Sequence, residues 1–141
     1  MTEKTEKTEK RYGGIFAFSD DQVMAQRRYQ NLVAWQEAHS LCCWIYKIVR
    51  TFPSYERFGL TTQMQRSSAS VPMNIAEGNS RRTRRHQIHF LEIALGSLEE
   101  LHYQCFLSRD LGYVSEDQYQ EVHGAIQRVG FLLNRLRSSL L

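Results

Sequence analysis

Apolar residues return every three or four positions from Leu32 to Leu140, with polar residues filling the gaps. That spacing is the signature of amphipathic helices. Leu32, Trp35, His39, Cys42, Ile45, Val49 and Phe52 mark one face of a first helix, and Leu41, Trp44 and Ile48 widen it. Asn31 is a fair N-cap for this helix, and Pro53 closes it, because a proline disfavours helical backbone in the residue before it. The helix has more apolar surface than one seam needs. Trp44 and Tyr46 are therefore the candidates for an interface between copies of the chain.

After a turn from Pro53 to Gly59, a second helix fits Thr61 to Glu77, with Leu60, Met64, Ser67 or Ser68, Val71 and Ile75 inward. Pro72 falls inside it, removes one backbone donor and presses on the carbonyl of Ser68, which predicts a kink. Ser67, Ser68, Ala69 and Ser70 are small enough to let a neighbouring helix come close. Gly78 suits the left-handed position that ends a helix. A third helix fits about Thr83 to Asp110, with Ile88, Leu91, Leu95, Leu98, His102 and Cys105 inward and Phe90, Ala94 and Leu101 flanking. Gly96 within it costs about 1 kcal/mol relative to alanine. A close backbone contact, with the small residues of the second helix, would explain its presence. Gly112 ends this helix.

The fourth helix is the clearest. Ser115-Glu116-Asp117-Gln118 reads as a capping box. Tyr119, Val122, Ile126, Val129, Leu133, Leu136 and Leu140 then alternate steps of three and four, the seam of a bundle or coiled coil. No stretch has the period of two that a strand needs. Four helices with short joints predict an all-α, antiparallel up-down-up-down four-helix bundle with a kinked second helix.

Residues 1–26 stand apart. Thr-Glu-Lys repeats three times from Thr2 to Lys10, and Tyr12-Gly13-Gly14 follows. Alternating charge with few apolar groups predicts a disordered or poorly ordered arm, leaving 27–141 as the bundle domain. At 141 residues one domain is the natural expectation. No apolar run approaches the roughly 20 residues of a membrane span, and the N-terminus has no apolar signal core. Three cysteines, two of them adjacent, make no disulfide framework, so a reducing cytoplasm is expected. The net charge of +3 permits an acidic partner without requiring one.

Arg81, Arg82, Arg84 and Arg85 crowd the joint between the second and third helices, with His86 next. Arginines are oddly placed at a helix N-terminus, where the macrodipole is already positive. An anion would relieve the repulsion, and guanidinium forks beside free backbone amides would bind phosphate. The alternatives are a solvated basic loop or ion pairs to a neighbouring subunit. Arg66, Asn74, Glu77, Glu99 and Glu100 form a second set, read as a buried structural polar network near Pro72. Glu77 with Glu100 as a catalytic acid and base is the weaker reading.

His39 with Cys42 or Cys43, His86 with His89, and His102 with Cys105 have helical spacing. None has the paired spacing of structural zinc, so neither metal nor cofactor is expected. No Gly-x-Ser-x-Gly turn or phosphate-cradling glycine loop occurs, and no nucleophile, base and charge stabiliser fall together, so an enzyme is not expected. Trp35, Trp44, Tyr46 and Phe52 follow the helical period, which favours core and interface over base stacking.

Several short runs, in order, resemble a bacterial four-helix-bundle family that includes proteins encoded in intervening sequences of large-subunit ribosomal RNA genes. They are Val33-Ala34-Trp35-Gln36, Phe52-Pro53 with Glu56, Phe58-Gly59-Leu60, Gln63 with Arg66, Ser70 to Gly78, Ala94, Gly96-Ser97-Leu98 with Glu100, and Gly112-Tyr113. The resemblance covers roughly 32–140. It implies a small helical bundle that assembles as a ring-shaped homo-oligomer, with a pentamer expected. The family is also similar to the accessory variability proteins of diversity-generating retroelements, pentameric bundles that bind nucleic acid and a reverse transcriptase. Two functions follow as expectations. One is a non-enzymatic module whose basic rim contacts RNA or DNA phosphates. The other is a protein-interaction adaptor or docking ring that binds no nucleic acid.

Overall fold

The structure is a computed structural model that describes residues 26–141. The arm expected over 1–26 falls, but for its last residue, outside them. Four helices carry the fold: α1 Val33–Val49, α2 Leu60–Asn79, α3 Arg84–Asp110 and α4 Glu116–Ser138. Short 3-10 turns precede α1 (Arg28–Asn31) and α2 (Ser54–Glu56), and the described residues contain no strand. No described helix is long and apolar enough to cross a membrane.

Contacts between neighbours fix the register. Along α2 and α3, the Ser67 hydroxyl donates to Gln104 Oε1 at 2.6 Å, the Ser70 and Ser97 hydroxyls meet at 2.7 Å, and Gly78 backs onto Phe90. The partners rise along one helix as they fall along the other. The α3–α4 pair repeats this order with Glu92 to Arg137 at 2.9 Å and Arg109 to Glu116 at 3.6 Å. The same holds for α1 and α4: Glu37 meets Arg128 at 3.6 Å, while Ile45 and Ile48 share a small cavity with Tyr119 and Val122.

The α4 seam is buried as its period predicts: Tyr119, Val122, Ile126, Val129 and Leu133 lie in the core, with Leu136 and Leu140 packed on its edge. In α1 the expected Ile45 and Val49 are buried, with Phe52 just beyond the helix, but Ala34, Ala38, Leu41 and Ile48 complete the buried line. Trp35, expected at the centre of that face, is half-buried on its flank with His39 stacked flat against it. The alanines leave room for the helix to sit close, and the bulky rings pack beside the core. Asn31 is not the cap of α1. It ends the preceding turn, and Leu32 precedes the helix with no side-chain cap.

The glycines redistribute the expected roles. Gly78 does not end α2, which runs through a buried Pro72 to Asn79. A Cβ at Gly78 would fall 3.0 Å from Phe90 Cβ and 3.3 Å from the Gln87 carbonyl oxygen. The close approach expected at Gly96 is therefore found at Gly78, while a Cβ at Gly96 would meet nothing within 4 Å. Gly112, with φ of 77°, is the left-handed residue after α3. Its amide donates to Arg109 O at 2.9 Å and the Tyr113 amide to Ser108 O at 2.8 Å, the paired bonds of a Schellman motif.

Candidate nucleic-acid interface

A four-residue joint, Ser80 to Thr83, turns the chain from α2 into α3. Ser80 donates its hydroxyl to Glu77 O at 2.7 Å, and Gln87 Nε2 donates to Arg81 O at 2.8 Å, which folds the joint back onto both helices. Thr83, in extended backbone, caps α3 by accepting from the His86 amide at 3.3 Å. Arg84 and Arg85 thereby occupy the first turn, which contains no acidic residue.

The four arginines are not equivalent. Arg81 forms an ion pair with Glu77, and its guanidinium lies 5.0 Å over the Phe90 ring. Arg82, Arg84, Arg85 and His86 are exposed. Among the described residues none of these three arginines has an ion-pair partner. Their charge adds to the positive end of the α3 macrodipole, so among the described residues this joint presents a cationic surface with no carboxylate paired to these three arginines.

The register of the helices brings further cations to the same end. Arg137 is pinned to Glu92 near the start of α3, and Arg135 shares its last turn of α4. Because α1 begins where α4 ends, Arg27 and Arg28 lie there too, in and beside a turn that packs on α1 and α2. The spacing of the chain gave no sign of these four, since they are distant in sequence and meet only through the topology. The opposite end mixes Glu56, Asp110, Glu116 and Asp117 with Arg57 and Arg109.

The expected polar network is not one cluster. Arg66, Glu77 and Glu100 are exposed, and Arg66 pairs with neither carboxylate. Glu77 takes Arg81, Asn74 donates to Ser70 O at 2.8 Å, and Glu100 accepts from Gln104 at 3.2 Å. Arg66 and Glu77 lie on the outer side of α2, where burial would strand their charges. The buried polar groups are Ser67, Ser68, Gln104 and Ser108. Ser67 donates to Gln104, and Ser108 donates to the Gln104 carbonyl at 2.7 Å. The spacing did not single out Gln104, although it stands beside the inward Cys105 of the third helix.

Trp44 packs half-buried against the core, whereas Tyr46 is exposed. His102 packs with His123 at 5.2 Å between ring centres, and His89 stacks edge-on against Phe90. Cys105 is buried and its thiol is pushed up to about 12 by desolvation. Among the described residues no three His, Cys, Asp or Glu side chains are grouped to hold a metal ion. The cavity lined by Ile45, Met64, Cys105 and Tyr119 has about 10 Å³ of room, barely the space one water needs.

A family model described as 23S rRNA-intervening sequence protein matches residues 30–135. Among solved structures, a protein of unknown function from Bacteroides thetaiotaomicron, placed in the S23 ribosomal protein family, has a similar fold. The TM-score is 0.70 at 22% identity, over 75% of this chain and 96% of that one. No curated protein matches the chain.

Proposed function

The chain belongs to the 23S rRNA-intervening sequence protein family, and from that premise we propose that it is a non-enzymatic, homo-oligomeric module that contacts RNA or DNA phosphates through its basic end. The observation that carries this reading is the exposed trio Arg82, Arg84 and Arg85, without ion-pair partners among the described residues, at a helix N-terminus. Each is a long fork with free donors, suited to phosphate oxygens. Arg27, Arg28 and Arg135 extend the same surface. Contacts of this kind neutralise phosphates and read no bases, so binding is tolerant of sequence and steeply weakened by salt. Copies in an assembly would add their patches by avidity.

The test is a filter-binding titration with single- and double-stranded RNA and DNA across a salt series. Replacing Arg81, Arg82, Arg84 and Arg85 with alanine is expected to abolish binding while helicity and thermal midpoint stay near those of the parent. Unchanged affinity in that variant rejects the assignment. Native mass measurement with and without RNA tests the assembly.

A protein-docking reading has its own support at the other end. Phe58 is 88% and Tyr55 75% exposed, and the Tyr113 hydroxyl donates to that of Tyr55 at 3.2 Å. Exposed aromatics of this kind anchor protein interfaces. Tyr55→Ala with Phe58→Ala should leave nucleic-acid binding intact and remove any protein partner recovered with the parent chain.

A further inference from the structure

The second half of α4 carries a large apolar ring where its period calls for a polar residue. Phe131 lies two positions from each of the buried Val129 and Leu133, so it points away from the core, and it is 65% exposed. Phe58 and Phe106 are exposed too, but each lies under an arginine of its own chain, at 5.3 and 4.6 Å. Among the described residues the Phe131 ring has no aromatic or cationic partner.

Its surroundings are cationic. From Val122 to Leu141 the chain has no acidic side chain. Arg128 stands one turn before Phe131 and Arg135 one turn after it, so the three leave the helix on one side. Arg135 is exposed, with no ion-pair partner among the described residues. Arg128 leans on Glu37 at 3.6 Å and still exposes 57% of its side chain. Tyr103, the exposed ring on α3, is placed differently: Glu99 and Glu100 stand one turn before it and repel phosphate.

We propose that Phe131, set between Arg128 and Arg135, is a stacking platform for an unpaired base of a single-stranded nucleic acid held at the basic end. The inference rests on the phosphate-binding reading of that end and adds a preference for single strands over duplex. A duplex keeps its base faces stacked on one another, whereas a single strand can lay one on an exposed ring while arginines hold its phosphates. The two places lie within reach of one strand. A Cβ at Gly130 would meet Leu98 at 3.4 Å, which sets Phe131 level with the middle of α3. At about 1.5 Å per residue, Leu98 is about 20 Å along α3 from Arg85. Arg135 stands between the ring and the basic end. Every base has a flat face, so the platform keeps binding tolerant of sequence.

The test titrates the full-length protein with an unstructured single strand, as RNA and as DNA, and with a duplex of the same length. Phe131→Ala is expected to weaken single-strand binding about tenfold, the loss of one stacked base. Duplex affinity, the salt slope, circular dichroism and native mass should stay those of the parent, and Phe131→Trp should restore the single-strand affinity. Single-strand affinity unchanged in Phe131→Ala, with the parent binding, overturns this inference alone. So does an equal loss for duplex, or a changed native mass, which would make Phe131 a contact between copies. A parent that binds neither form overturns the reading of the basic end and this inference with it.

Discussion

Gly78→Ala and Gly96→Ala are expected to move stability in opposite directions. The first drives a methyl group against Phe90 and the Gln87 backbone, and overpacking of this kind costs about 1–3 kcal/mol. The second meets open space and restores the better helix former, a gain of about 1 kcal/mol. Urea denaturation of the two variants checks both signs. His39 supplies a pH signature. Its folded pKa is depressed by burial below the ordinary 6.5. The stability tied to its neutral form is present above the unfolded value and lost as pH falls below it. Stability should therefore drop between pH 7 and pH 5, and His39→Gln should flatten that slope in denaturation curves taken at each pH. The glycine roles were not legible beforehand. A sequence shows where a helix lacks a side chain, but which neighbour fills the space depends on how two helices are rotated against each other.

At the scale of elements, caps and periods explain where the helices lie. Ser115 accepts from the Gln118 amide at 3.1 Å, half of the capping box read from its sequence. Ser115→Ala should cost about 1 kcal/mol, seen as a lower thermal midpoint. The α4 seam was legible because every step of three or four carries a large apolar residue. In α1 the pattern misled by one position: Trp35 and His39 are conspicuous but stack on each other, while Ala34 and Ala38 hold the core line. The α2–α3 seam was legible in kind through its run of small residues. Its partners Ser97, Gln104 and Ser108 lie up to 44 positions away in the chain and were not.

At the scale of the whole molecule, charge follows from topology. Arg81 to Arg85 were visible as a cluster, but Arg27, Arg28 and Arg135 join them only because the helices fold back on one another. The restraint on Arg81 gives a further prediction. Glu77→Gln removes its ion-pair partner and frees the guanidinium. Nucleic-acid affinity at low salt should then rise, with a steeper dependence of log K on log salt by roughly one phosphate contact. Equal slopes for the variant and the parent would show that Arg81 makes no such contact.

Rotation about a single axis cannot exchange the top and bottom of a bundle. Any closed ring of copies standing parallel to its symmetry axis would collect Arg82, Arg84 and Arg85 of every subunit on one rim and Tyr55 and Phe58 on the other. Such a disc would be two-faced, laying a polyanion along one side while leaving the reverse side open to a different guest.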